Sequence, residues 1–245
     1  MIMKPRAVLV MRTGVATAAL AATLLVLVQT SQGRSVLGGM LRMAHGACPF
    51  GYDRSMTGSD RERAQRSFAR THRGEQRAAS RPALGFTLER TTRAQVLAQM
   101  TKHGVACTSG TGHSDLICAN VSADTLADAS APAGTSTLAE WGRPARRNLW
   151  FNFGAREQLL SVVSIARDAQ PLALSEAFLA TRRALDQQVG SVTATRGDAS
   201  APALAQGLLR QASAEFRYQD YYALARVANL GKEFVLTEEY RSLAD

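Results

Sequence analysis

From residue 83 onward the chain changes hydrophobic period twice, each time from a helical stripe to strands of period two. The first cycle begins with a short strand, where Phe86 and Leu88 alternate with Thr87 and Glu89. Thr92, with Gln95 three residues on, then forms a capping signature for a helix. Val96, Leu97 and Met100 make its apolar face, and Gly104 stops it. A hairpin follows, in which Val105–Thr108 and Leu116–Val121 flank the polar turn Ser109–His113. After a loop rich in Ala, Ser, Thr and Gly, strands are expected over Asn148–Phe153 and Gln158–Ile165.

The second cycle repeats this order. Ser175 reads as the cap of a helix whose stripe is Leu174, Phe178, Leu185 and Val189, with Gly190 as its end. Pro202 opens a short helix to about Gln211, and strands are expected over Glu215–Asp220, Tyr221–Ala228 and Glu233–Glu238. Asn229-Leu230-Gly231-Lys232 makes the last hairpin turn. The pattern predicts an α+β domain over residues 83–245, with helices packed on one face of an antiparallel sheet. Its helix-then-strands halves would be 83–168 and 169–245, although residue identity between them is too low to establish duplication. This order resembles the small helix-plus-sheet domains of bacterial envelope lipoproteins that assist outer-membrane assembly, down to the Thr-x-x-Gln-Val helix start at Thr92–Val96. No lipobox accompanies it, so no residue role is carried over.

Upstream of the domain, an Ala/Leu/Val-rich run from Val15 to Val28 lies behind Lys4, Arg6 and Arg12. An apolar core of about fourteen residues suits the hydrophobic region of an export signal and falls short of the roughly 20 that span a bilayer. Residues 1–33 therefore read as a signal peptide, with Ser31 and Gly33 before the cleavage point. Joined to Ala7–Met11 through Arg12, the same run reads as a hydrophobic helix that anchors the chain in a single pass. Either way the rest of the chain is expected outside the cytoplasm, in the periplasm, beyond the cell, or on the outer side of the inner membrane. Abundant Ala and Arg with scarce Lys point to a bacterial genome.

The formal charge of +9 is unevenly placed: sixteen Lys/Arg against five Asp/Glu up to His103, and thirteen against fifteen beyond it. Residues 34–82 read as a tether and a basic helical segment in which Arg61, Arg63, Arg66, Arg70, Arg73 and Arg77 recur at helical spacing, with Ser59 and Glu62 as its capping box. Such a row is either a solvated spacer or a contact for anionic lipid. Nucleic acid is not expected as a partner, because the leader removes the chain from the cytosol.

Cys107 and Cys118 face each other if the hairpin pairs about its centre, which in an oxidising compartment favours a disulfide. A zinc site of His103, Cys107, His113 and Cys118 is disfavoured, since His113 at the turn tip would lie roughly 16 Å away at strand rise. Cys48, behind Met40, Met43 and His45, is left over; an intermolecular bond there outranks a Cu(I) site, but neither is the leading expectation and no metal is expected. No catalytic, nucleotide or cofactor motif occurs around the four histidines. The functional expectation is a non-enzymatic, exported envelope protein that binds another envelope protein. The alternative is a secreted hydrolase or small-ligand binder whose groove is lined by Tyr218, Asp220, Tyr221 and Tyr222.

Overall fold

The computed structural model describes residues 57–109, 115–122, 125–126 and 146–244, with the side chain of Arg61 excepted. The leader, the tether with Cys48, and His113 lie outside the described residues. Eight strands and four helices are described. Helix α1 spans Gly58–His72 and α2 spans Arg93–Lys102. Strands β1 (Cys107–Ser109), β2 (Asp115–Ser122), β3 (Arg146–Phe153) and β4 (Leu159–Asp168) follow. Then come α3 (Pro171–Gln188), β5 (Ala194–Arg196), α4 (Ala201–Ala205), β6 (Gln211–Arg217), β7 (Tyr221–Asn229) and β8 (Phe234–Ser242).

All strands join one antiparallel sheet in the order β1-β2-β3-β4-β8-β7-β6-β5, so the sequence of strands mirrors about the β4–β8 seam. Each outer edge is a strand of only three residues. Such short edges leave little backbone for unwanted pairing.

The period-two alternation decides which residues meet. One face carries Leu149, Phe151, Phe153, Val162, Ala166, Phe216, Val227, Leu236 and Tyr240, all buried. Helix α2 contributes Val96 and Met100 to this core, α3 contributes Leu174, Phe178 and Leu185, and α4 contributes Leu204. Thr92 caps α2 as expected: it accepts from the Gln95 amide at 3.3 Å, while the Gln95 side chain accepts from the Thr92 amide at 2.8 Å.

Several elements depart from the sequence reading. Residues 84–89 form no strand; Leu84, Gly85 and Glu89 take left-handed φ angles, and the turn tucks Leu84, Phe86 and Leu88 into the core. Helix α3 starts at Pro171, ahead of the expected cap. Ser175 is buried within it and donates to the Ala199 carbonyl at 2.6 Å. Helix α4 ends early, at Ala205. Strand β6 begins four residues before Glu215 and β8 runs on to Ser242.

The helices are not confined to one face. Helix α1 lies on the opposite face, where Phe68 and Ala69 pack with Tyr222, Leu224 and Leu243. The chain then crosses back around the end of the sheet at Gly74, whose amide donates to the Tyr218 carbonyl at 3.1 Å. A Cβ there would stand 2.2 Å from the Arg217 carbonyl oxygen, so only glycine fits this crossing. The described residues, α1 included, belong to one compact unit.

Candidate functional site

Arg61, Arg63, Arg66 and Arg70 sit on α1, Arg73 is its C-terminal cap, and Arg77 lies beyond it. Thr57 caps this helix, two residues ahead of the expected Ser59, by accepting from the Asp60 amide at 3.2 Å. Glu62 instead reaches across to accept from the Ala155 amide at 2.7 Å. Gln65 donates to the Ser242 carbonyl, and Arg73 donates to the Leu243 carbonyl at 2.5 Å. Phe68 stacks on His72 with ring centroids 3.9 Å apart, and both meet Tyr222 edge-on. The Arg241 guanidinium caps the Phe68 ring at 4.5 Å. These contacts turn one face of the helix inward and leave Arg63, Arg66, Arg70, Arg73 and Arg77 exposed. Arg61 is on the same helix, but its side chain is outside the described residues. The basic segment is thus a docked amphipathic helix rather than a free spacer.

Tyr218, Asp220, Tyr221 and Tyr222 do not converge on a groove. Tyr221 is wholly buried on the helix-covered face, its hydroxyl donating to the Pro82 carbonyl at 2.5 Å. Tyr222 points to the other face, beneath α1. The Tyr218 hydroxyl donates to the Ser191 carbonyl at 3.0 Å, and Asp220 accepts from the Ala78 amide at 3.1 Å. Successive residues of a strand point oppositely, and so the cluster is divided between two layers. Burial, then the Glu215 and Glu239 carboxylates, push the Tyr222 hydroxyl far above the ordinary tyrosine range, with Arg241 opposing. Burial followed by Tyr240 does the same to Tyr221. Burial also works to raise Glu215, but the Arg217 and Tyr222 hydrogen bonds, with the Arg217 and His72 charges, outweigh it and hold that carboxyl low. The proposed ligand face is a core edge.

Cys107 and Cys118 are cross-strand partners in the expected register, with Cα atoms 4.1 Å apart and sulfurs at disulfide-bonding distance. Among the described residues no three His, Cys, Asp or Glu side chains converge as a metal site would require.

A second constellation was not anticipated. Arg147, fully buried, donates to Glu238 at 2.8 Å and to Ser164 at 3.1 Å, and Thr181 of α3 donates to the other Glu238 oxygen at 2.6 Å. The signal was strand parity: Arg147 shares its face with Leu149 and Phe151, and Glu238 shares its face with Leu236 and Tyr240. The Nε and Nη2 of Arg147 are buried without a partner among the described residues. This network ties β3, β4, β8 and α3 together across the seam, a structural role.

A shallow cleft of about 360 Å³ runs between α3 and the β5 edge, lined by Phe178, Leu179, Arg182, Arg196, Asp198 and Ser200. Asp198 there accepts from the Ser200 amide at 2.8 Å. The Ser200 backbone and side chain hold its carboxyl low.

Among the described residues, α1 leaves part of the sheet's second face uncovered. Ile117, Trp150, Val163 and Glu239 are successive neighbours across β2, β3, β4 and β8. Asn148, Ile165, Thr237, Arg226 and Ser213 form the adjoining row. Ile117, Trp150, Ile165, Thr237 and Arg226 are half-buried, and Val163 and Val235 are each 9% exposed. Arg226 lies among them as a cation on an otherwise neutral row. No protein-family model, curated protein or solved structure matches the chain, so this geometry stands alone as the guide to its role.

Proposed function

We propose that this chain is an exported bacterial envelope protein whose α+β domain is a non-enzymatic binding module for another envelope protein. The partner engages the second face of the sheet. The observation that carries the reading is the apolar-to-cationic lattice of Ile117, Trp150, Ile165, Thr237 and Arg226, bounded on one side by α1 and its exposed arginines. Aromatic and arginine side chains are the residues that most often anchor protein interfaces. The surrounding positive charge favours a partner with an acidic rim. Export is supported by the leader's charge and apolar pattern, and by a cysteine pair suited to an oxidising compartment.

The test is site-specific photo-cross-linking in intact cells from Ile165, Thr237 and, as a control on the covered side, Glu176 of α3. Discrete adducts from the two sheet positions and none from Glu176 are expected. Equal adducts from all three, or none from the sheet, would contradict the assignment.

A further inference from the structure

The end of the sheet opposite α1 carries an unusual feature. Leu208 and Leu209, in the turn between α4 and β6, are each 68% exposed, and Leu230 in the β7–β8 turn is 45% exposed. Buried Asn229 binds these two turns into one platform. Its carbonyl accepts from the Leu209 amide at 2.8 Å and its amide donates to the Arg210 carbonyl at 2.8 Å. Its side chain donates to the Leu204 carbonyl at 2.9 Å and accepts from the Gly231 amide at 2.7 Å. Leu209 is held at φ +62, a region leucine rarely adopts. Leu208 packs over Gly231, where a Cβ would stand 3.2 Å from its Cδ1. The leucines are therefore presented outward by a rigid double turn. Beside them, exposed Arg210 and Lys232 carry no ion pair among the described residues, whereas Glu233 is paired with Arg167.

We propose that this double turn is a lipid-facing tip: Leu208, Leu209 and Leu230 enter the interfacial layer of an anionic bilayer while Arg210 and Lys232 meet its headgroups. Three features favour a bilayer over a protein partner. The leucines sit on convex turns rather than in a groove, and a fluid bilayer requires no matching shape. Three leucine side chains fall far short of the roughly 1,200–2,000 Å² that a stable protein interface buries. Leucine is also under-represented among the anchors of such interfaces, and no aromatic residue accompanies these. Apolar side chains flanked by Lys and Arg are the composition of interfacial membrane contacts. This tip lies at the far end of the strands from α1, so it is independent of the sheet-face reading.

The experiment places tryptophan reporters in the full chain: Leu209→Trp or Leu230→Trp at the tip, and Gln219→Trp at the opposite end. Each is mixed with vesicles of phosphatidylethanolamine and phosphatidylglycerol carrying brominated acyl chains, and the parent chain's emission is subtracted. Both tip reporters are expected to shift to the blue and be quenched, while Gln219→Trp stays as in buffer. Replacing phosphatidylglycerol with phosphatidylcholine is expected to weaken tip insertion at least about fivefold. Equal quenching at both ends, no quenching at the tip, or a blue shift at the tip without lipid (a protein contact) would each overturn the proposal. A failure here leaves the cross-linking result untouched, and the reverse also holds.

Discussion

At the scale of single residues, the Arg147–Glu238 pair is the most consequential arrangement in the core. Two charges removed from water are tolerated because each has a partner, with Ser164 and Thr181 taking up further hydrogen bonds. Removing one partner strands the other. Arg147→Met is therefore expected to destabilise the fold by about 3–5 kcal/mol in urea unfolding. Arg147→Met combined with Glu238→Leu should recover most of that loss, because the uncompensated charge is gone. Full additivity of the two single changes would contradict this account. The buried tyrosines make a second prediction. Burial raises the hydroxyl pKa of Tyr221 and Tyr222 in the fold above the unfolded value of about 10. A raised folded pKa means stability that is whole below the unfolded pKa and declines as pH climbs beyond it. Thermal unfolding midpoints should hold steady through neutral pH and fall above about pH 10, with tyrosinate absorbance appearing together with unfolding. Tyrosinate absorbance from both residues in the folded chain near pH 10 would be the contrary result.

Among the elements, the edge hairpin is held by a covalent tie. The Cys107–Cys118 bond has a sequence separation of 11. Replacing both cysteines by serine is expected to cost about 3 kcal/mol on the chain-entropy account, read by urea denaturation against the oxidised chain. Helix α1 is held differently, by Phe68 and a handful of reaching side chains. Phe68→Ala should raise amide hydrogen exchange across Gly58–His72 while β7 and β8 remain protected. Loss of protection in both would mean that the helix is integral to the core rather than docked on it. How far these elements could be read from sequence followed from their chemistry. The Thr92 capping box and the Cys107–Cys118 register were legible because both depend on local spacing. The alternation of Leu84, Phe86 and Leu88 misled, since a turn with left-handed residues can bury the same side chains. Strand β5 was invisible: Ala194-Thr195-Arg196 has no apolar alternation, and it is a strand only because β6 offers an edge. Docking of α1 was hidden by its arginines, as its inward stripe is little more than Phe68, Ala69 and His72. The proposed binding face was half-legible: a strand over Asn148–Phe153 implies that Trp150 points away from Leu149, Phe151 and Phe153, but its neighbours from β8 and β7 depend on long-range pairing.

For the molecule as a whole, strand order explains how a modest chain builds a wide surface. Mirrored runs of strands meet at β4 and β8, giving one eight-stranded sheet with helices α2, α3 and α4 filling one side. The other side receives only α1 among the described residues, and that helix covers one end. Among those residues no helix is long and apolar enough to cross a membrane. The proposed function joins a leader read from sequence to a sheet face read from pairing, and it requires that the domain work outside the cytoplasm, where the edge disulfide forms. The most direct test is fractionation of cells after rapid acid quenching and thiol trapping, with the trapped chain followed through each fraction. The chain is expected in the periplasmic or membrane fraction with Cys107 and Cys118 unreactive until reduced. Recovery of the full-length chain in the soluble cytosol, with both thiols freely labelled, would contradict it.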